Sequence, residues 1–254
     1  MPISTEKNFE EKFNLFKEWL TQQDNFTSKD MIITANESSL ASGFSNETFI
    51  FNIKEKNISK NYVLRLKPSN YQVFPEYNLK LQVDIMRCLH KKGFPAPNVI
   101  LYESNDDILG SEFYLMDFIN GEAPSDNPPY HMDPDGMVGK AVKENRRKIW
   151  TEWIHYLNKI HILDIDDLGL TELDIKYKKN DPIDIDISYY QNFLDWGMDG
   201  EDNPLCDDVL NWLRENKPKK HNALSLCWGD SRPGNILYQD FKATALLDWE
   251  MATY

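Results

Sequence analysis

CWGDSRPGNILYQDFKATALLDWE, residues 227 to 250, contains two aspartates and an asparagine at informative intervals. Asp230 and Asn235 are spaced as D-x-x-x-x-N, and Asp248 follows after a short apolar run. A Pro-Gly pair directly before Asn235 predicts a turn, so Asp230 and Asn235 can lie on one tight loop. The spacing therefore allows both side chains to face one pocket.

A β-hairpin is predicted directly after this loop. Residues 236 to 238 have the composition of a strand, residues 239 to 242 that of a turn, and residues 243 to 247 that of a returning strand. Such a hairpin would bring Asp248 back beside Asn235.

A phosphoryl-transfer site needs two carboxylates and an amide, and all three groups are present here. One carboxylate receives the proton of the attacking hydroxyl, while an amide and a second carboxylate hold magnesium against the nucleotide phosphates. Asp230 and Asp248 would place two like charges in one cleft, which is costly unless a divalent cation neutralises them. The simpler interpretation is that Asp230 and Asn235 form a turn and Asp248 caps a helix, but the ordered set favours function.

The segments from Gly229 to Leu237 and from Leu247 to Glu250 resemble the signature of the aminoglycoside phosphotransferase family, whose members share the protein-kinase fold. Within that family, the chain is most similar to the phosphotransferase domains attached to some acyl-CoA dehydrogenases. The resemblance implies Asp230 as catalytic base, Asn235 and Asp248 as Mg²⁺ ligands, and ATP as donor. Family members usually have a histidine where this chain has Trp228, which puts the local packing in question more than the chemistry.

A second part of the resemblance precedes a strand near the N-terminus. Residues 39 to 53 combine a glycine and small polar residues with an alternating strand pattern, which suits either a phosphate loop or a simple hairpin turn. The family's nucleotide-positioning loop, G-x-S-N-x-T, is matched by Gly43, Ser45, Asn46 and Thr48. The resemblance therefore implies that this loop binds nucleotide.

A cation on the next strand would serve the α- and β-phosphates of a nucleotide. Arg65 lies in the strand predicted for residues 62 to 66, although alone it would be interpreted as a surface charge. A helix is predicted from residue 75 to residue 92, with Glu76 in its first turn. Glu76 matches the family glutamate that pairs with the strand cation, so we expect an Arg65–Glu76 ion pair.

The family's interlobe hinge is matched by the residues after Met116. The resemblance implies that the carbonyl of Asp117 and the N–H of Ile119 hold adenine. Side-chain chemistry adds nothing to this assignment, because any extended strand offers backbone hydrogen bonds.

The composition excludes several classes of protein. The chain has 254 residues and a formal net charge of −13, so it would repel nucleic acid and favour a cationic small molecule, although the acidic residues also suit a solvated surface. The sequence lacks a long apolar segment and an N-terminal signal core, which predicts a cytoplasmic protein without a membrane partner. Three dispersed cysteines favour neither disulfides nor zinc.

The order of elements predicts an α+β, two-lobed protein-kinase-like fold with an antiparallel N-terminal sheet and a mainly helical second lobe. We expect a nucleotide-binding lobe over residues 1 to 119 and a catalytic and acceptor lobe over residues 120 to 254. Family members continue beyond the position of Tyr254 with helices that complete the second lobe. The resemblance therefore implies a fragment or an abbreviated protein with an incomplete acceptor pocket.

The predicted function is a Mg²⁺-assisted kinase that transfers the γ-phosphoryl group of ATP to a hydroxyl of a small molecule. The alternative is a kinase-like nucleotide-binding or regulatory module with weak or no transfer, which Trp228, Arg65 and the early end of the chain favour. The acceptor could be an aminoglycoside, another antibiotic, a choline-like amine, a sugar or a lipid-derived hydroxy compound. The sequence does not choose between ATP and GTP and does not indicate an oligomeric state.

Overall fold

A computed structural model describes residues 6–26, 30–35, 47–68, 72–219 and 223–254. Its main sheet is antiparallel and has the order β1-β2-β3-β5-β4. The strands are β1 (Met31–Ala35), β2 (Glu47–Glu55), β3 (Ile58–Leu66), β4 (Val99–Glu103) and β5 (Phe113–Asp117). A separate hairpin consists of β6 (Ile236–Gln239) and β7 (Lys242–Leu246).

One helix precedes the first strand of the sheet and one lies between β3 and β4. The other described α-helices follow β5 along the chain. The helices are α1 (Glu6–Leu20), α2 (Leu79–Lys91), α3 (Met137–Lys140), α4 (Lys143–His161), α5 (Thr171–Tyr177), α6 (Pro182–Met198) and α7 (Pro204–Asn216). This arrangement confirms the predicted α+β kinase-like fold. The lobe boundary between residues 119 and 120 stays a prediction. None of the described helices is long and apolar enough to cross a membrane.

Helix α1 covers one face of the sheet with the aromatic side chains of its apolar stripe. Phe16 and Leu20 are fully buried, and the Phe16 ring lies 4.9 Å from the Phe51 ring in an edge-on contact. Leu64 and Leu66 of β3 belong to the same core cluster. Because side chains alternate across a strand, these positions define one face of the sheet.

The opposite face of the sheet joins the core around the hairpin. Val63 of β3 and Met116 of β5 point to this side and pack in one cluster with α2. The same cluster includes Trp228 and Trp249, so the apolar core is continuous from the sheet to the segment that contains Asp230. Burial of this continuous core fixes the position of the hairpin relative to the sheet.

The structure corrects two predicted helix boundaries. Helix α2 begins at Leu79, because the side chain of Asn78 accepts a hydrogen bond from the Leu81 N–H and caps the helix. The spacing of apolar residues from 139 to 163 predicts one long helix, but α4 begins at Lys143 and ends at His161.

A third correction concerns residues 168 to 186, an acidic stretch for which the sequence predicts irregular structure. They contain α5 and the start of α6. Helix α6 has a signal that sequence inspection missed: Asp181 accepts from the N–H groups of Ile183 and Asp184, and Pro182 follows it.

We predict that Phe16→Ala lowers the free energy of unfolding by about 3–5 kcal/mol, because it opens a cavity in a closed core. Leu15 is the matched control, since it is the preceding residue of the same helix and is 42% exposed. Leu15→Ala should cost less than about 1 kcal/mol. Urea unfolding measures both values, and equal losses would contradict the packing of α1 on the sheet.

Candidate active site

The hairpin brings Asp248 next to Asn235, as the spacing predicted. Ile236 of β6 is opposite Leu246 of β7, and the Leu247 N–H donates to the Asn235 carbonyl over 2.9 Å. Asn235 ends a short 3-10 helix, Pro233–Asn235, which is the turn that the Pro-Gly pair indicated. The two predicted metal ligands, Asn235 before β6 and Asp248 after β7, therefore flank the same end of one two-stranded ladder.

Asp230 and Asn235 are joined by their side chains. Asn235 is 4% exposed, and its Nδ2 donates to the backbone carbonyl and to the Oδ2 atom of Asp230, each over 2.8 Å. The Nε of Arg232 donates to the same Oδ2 over 2.9 Å. Both side-chain contacts use Oδ2, which leaves Oδ1 of the half-exposed Asp230 carboxylate to accept a proton from another group.

Trp228 replaces the family histidine without loosening the packing. The indole is 1% exposed, and its Nε1 donates to the carbonyls of Leu247 and Asp248 over 2.8 and 3.1 Å. It stacks on Trp249 with ring centroids 4.9 Å apart and planes 13° apart. Trp228 thus connects the loop that carries Asp230 to the segment that carries Asp248.

Arg65 forms an ion pair with Asp248. Both terminal nitrogens of the guanidinium lie 3.2 Å from Asp248 Oδ1, and the Arg65 side chain is only 12% exposed. Burial disfavours the charged guanidinium, but the Tyr114 phenol and the neighbouring carboxylates outweigh it and raise the pKa of Arg65. The cation is therefore held at the Asp248 end of the site.

The expected pairing of Arg65 with Glu76 is wrong in this structure. Glu76 is exposed and lies before α2 rather than in its first turn, because Asn78 starts the helix two residues later. Within the described ranges, no ion pair joins Glu76 to Arg65. Arg65 is instead compensated by Asp248, which belongs to the opposite end of the sequence.

The structure describes only some of the other residues that are predicted to bind nucleotide. Gly43, Ser45 and Asn46 lie outside the described residues. Thr48, the last position of the same motif, is opposite Arg65 in the β2–β3 ladder.

The predicted hinge follows the end of β5. Asp117 is the last residue of β5, and the Asp117 N–H donates to the Asn98 carbonyl over 3.0 Å. Its side chain lies 2.7 Å from Lys60 Nζ. In the described part of the chain, the Ile119 N–H makes no hydrogen bond, so it is available to a ligand.

Sequence inspection missed the side chains that support Asp230. Arg232 contacts both Asp230 and Asp126. Trp153 of α4 donates from Nε1 to Ser231 Oγ over 2.8 Å. The position of Arg232 two residues after Asp230 was a visible signal, but its distant partner Asp126 could not be identified from spacing.

The donor set fits a hard divalent cation. Asn235 directs Nδ2 at Asp230, so Oδ1 is the side-chain atom left for a metal, and Asp248 retains Oδ2 beside its pair with Arg65. Mg²⁺ is usually held by one or two carboxylates together with substrate phosphates. No group of three or more His, Cys, Asp or Glu that could hold a metal occurs among the described residues.

The described part of the chain also contains a separate cavity. It has a volume of about 780 Å³ and is bounded by residues 130–139 and the first half of α4, with Tyr130, Trp150 and Arg147 in its wall. Asp230, Asn235 and Asp248 do not line it. The cluster of acidic and amide groups is therefore a more specific indication of function than this volume.

Comparison with known proteins identifies the class to which this fold and site belong. The sequence model of the Phosphotransferase enzyme family matches residues 37–254, and the chain belongs to that family. A curated relative is acyl-CoA dehydrogenase family member 11 of Rattus norvegicus, which is 29% identical over 217 residues. The match covers 84% of this chain but 25% of the relative, so the chain spans about a quarter of that protein's length.

Solved structures share the fold at low sequence identity. A proposed aminoglycoside phosphotransferase from Ralstonia eutropha matches 95% of this chain and 65% of its own, with a TM-score of 0.64 and 21% identity. Plasmodium vivax ethanolamine kinase matches 98% and 64%, with a TM-score of 0.58 and 14% identity. The aminoglycoside phosphotransferase APH(4)-Ia, solved with AMP-PNP and hygromycin B, matches 92% and 70%, with a TM-score of 0.50 and 14% identity. These likenesses establish a phosphotransferase-type, kinase-like fold.

We predict that replacing Gly229, which precedes Asp230, strongly lowers the free energy of unfolding. Its φ is +87°, and an added Cβ would lie 2.1 Å from the Met251 carbonyl oxygen. Gly200 is the matched control, because its φ is +88° and nothing lies within 4 Å of its Cβ position. Gly200→Ala should cost about 1–2 kcal/mol from backbone strain alone, and Gly229→Ala about 3 kcal/mol or more.

Thermal or urea unfolding of the two variants measures this difference. Equal losses would show that the Met251 carbonyl moves aside freely and that the loop before Asp230 is not tightly packed.

Proposed function

We propose that this protein is an ATP-dependent, Mg²⁺-assisted phosphotransferase that phosphorylates a hydroxyl of a small molecule. The observation that carries the proposal is the joining of Asp230 to Asn235 by a side-chain hydrogen bond, with Asp248 beside Asn235 across the hairpin. Asp230 and Asn235 share a side-chain hydrogen bond and the backbone next to Asp248 is bonded to Asn235, although 18 positions separate Asp230 from Asp248 in the sequence. Family membership and the kinase-like neighbours support the same reaction class.

Asp230 is proposed as the catalytic base. Its Oδ1 accepts the proton of the acceptor hydroxyl while the hydroxyl oxygen forms a bond to the γ-phosphorus of ATP. The bond from that phosphorus to the β,γ-bridging oxygen breaks, and ADP leaves with the bonding electrons. Arg232 and Asn235 hold Oδ2, so the carboxylate is oriented before the acceptor arrives.

Asn235 and Asp248 are proposed to hold magnesium through Asn235 Oδ1 and a carboxylate oxygen of Asp248. A bound Mg²⁺ would offset the charge on the phosphates. Arg65 would remain beside Asp248 and direct its guanidinium at the α- and β-phosphates. In this proposal Asp248, rather than Glu76, is the carboxylate that orients Arg65.

The adenine and phosphate contacts are proposed from the family resemblance. Gly43, Ser45 and Asn46 would contact the phosphates, and the backbone of Asp117 and Ile119 would hold adenine. Among the described residues the Ile119 N–H donates to no backbone carbonyl, and this supports the hinge assignment. The bound AMP-PNP in the structure of APH(4)-Ia supports ATP as the nucleotide of this fold.

The acceptor is proposed to be a small molecule with a hydroxyl group, and the acidic balance of the chain favours a cationic one. Hygromycin B in the APH(4)-Ia complex and the ethanolamine of the Plasmodium kinase are acceptors to test first. A panel of these two compounds with a sugar and a hydroxy acid covers the classes that the sequence leaves open.

The second candidate is a nucleotide-binding module with little transfer. The ion pair between Arg65 and Asp248 favours it, because it occupies Oδ1 of Asp248 and leaves only Oδ2 for a metal. An enzyme requires this pair to share Asp248 with the metal. Turnover with any acceptor of the panel would reject the second candidate.

We predict that Asp230→Asn lowers kcat by about 10²- to 10⁴-fold, the range for loss of a general base, and leaves ATP affinity unchanged. The amide keeps the size of the side chain but cannot take the proton. Steady-state transfer assays and nucleotide titration measure the two quantities. A variant with the turnover of the wild type would eliminate Asp230 as the base.

We also predict that Asp248→Asn abolishes the gain in melting temperature that ATP with Mg²⁺ gives over ATP alone. Asp240→Asn is the matched control, because Asp240 is an exposed acid on the same hairpin. Both aspartates have positive φ, +59° and +50°, which asparagine tolerates. An undiminished magnesium effect in Asp248→Asn would exclude Asp248 as a ligand.

A further inference from the structure

The side chain of Arg232 bridges two carboxylates from distant parts of the chain. Its Nε donates to Asp230 Oδ2 over 2.9 Å, and its Nη1 forms an ion pair with Asp126 Oδ1. Asp126 lies 106 positions earlier, in the loop between β5 and α3. The three residues form an Asp126–Arg232–Asp230 bridge.

The bridge is too exposed to be explained by stability alone. The side chains of Asp126, Arg232 and Asp230 are 53%, 38% and 42% exposed. Ion pairs with such exposure typically contribute about 0–1 kcal/mol, because water screens them. Their geometry, rather than their energy, is the feature that requires an explanation.

The loop that carries Asp126 is fixed to the catalytic hairpin. Glu122 and Tyr238 exchange two backbone hydrogen bonds of 2.9 Å, which attach the start of the loop to β6. Asp126 itself forms a backbone bridge with Pro129. Asp126 therefore provides a fixed anchor for the guanidinium of Arg232.

Gly234 supplies a second, independent observation. A Cβ at this position would lie 2.6 Å from Arg232 Nη1 and 3.0 Å from Asp126 Oδ1. Gly234 does not have a positive φ, so its backbone conformation is open to other residues. The absence of a side chain at position 234 leaves space for the contact between Arg232 and Asp126.

We propose that Asp126 is a positioning residue, which acts through Arg232 to aim the Asp230 carboxylate at the acceptor hydroxyl. This inference rests on the proposed function, because it assigns Asp126 to the same transfer site. Asp126 need not touch the substrate. It holds the guanidinium, and the guanidinium fixes Oδ2 so that Oδ1 faces the acceptor.

The test compares Asp126→Asn, Asp126→Glu and Gly234→Ala with the wild type. Asp135→Asn is the matched control, because it removes one charge from the same loop. The Asp135 side chain is exposed and makes no hydrogen bond or ion pair among the described residues. Each protein is assayed for phosphoryl transfer from ATP to the best acceptor of the panel, or to water if none is used. The dissociation constant for ATP and the melting temperature are measured in parallel.

We expect Asp126→Asn to lower kcat about tenfold to a hundredfold, the scale of a small misplacement of a catalytic group, without changing ATP affinity. Asp126→Glu should recover part of that loss, and Gly234→Ala should resemble Asp126→Asn. Asp135→Asn should equal the wild type. Wild-type kcat in Asp126→Asn, or a loss that follows ATP affinity or melting temperature, would overturn the inference.

Failure of the proposed function has a different signature. If the wild type transfers no phosphoryl group to any acceptor or to water, the proposed function is rejected. Crystal structures of the wild type and of Asp126→Asn then test whether Asp126 positions Arg232, by comparing where the Arg232 guanidinium lies. A guanidinium that leaves Asp230 in the variant supports positioning by Asp126, and one that stays in place overturns it.

Discussion

The indole N–H of Trp228 is the contact on which the geometry of the site depends. It donates to the carbonyls of both Leu247 and Asp248, and the ring stacks on Trp249. A buried donor with two acceptors is costly to separate, because water cannot replace its partners. Asp230 precedes the hairpin and Asp248 follows it, so this contact connects the segment of the proposed base to the segment of the proposed metal ligand.

Charge compensation accounts for the arrangement of side chains around the two aspartates of the site. The chain is strongly acidic, yet each aspartate of the site has a guanidinium as a partner: Asp230 contacts Arg232, and Asp248 contacts Arg65. Each guanidinium offsets the negative charge of the carboxylate that it contacts, whereas two carboxylates without such partners would repel each other. The site can thus be assembled before nucleotide arrives, which reduces the reorganisation that binding requires.

Sequence inspection failed where partners were distant or elements were short. The family resemblance implies Glu76 as the partner of Arg65, but the cap at Asn78 starts α2 after Glu76, and Arg65 pairs with Asp248 instead. Helix α5 has only seven residues, too few to show a period of 3.6, so its segment was predicted to be irregular. The cap at Asp181 was readable but was overlooked.

The sequence by itself determined the antiparallel sheet, the turn before Asn235 and the hairpin that returns Asp248, because alternation and turn chemistry are local properties. Through its family motif it also determined the set Asp230, Asn235 and Asp248. Only the tertiary structure decided which cation meets which carboxylate, and that Asp126 lies against Arg232. Such pairs join residues more than a hundred positions apart, and their contact follows from how the packed core folds the chain, which local patterns do not encode.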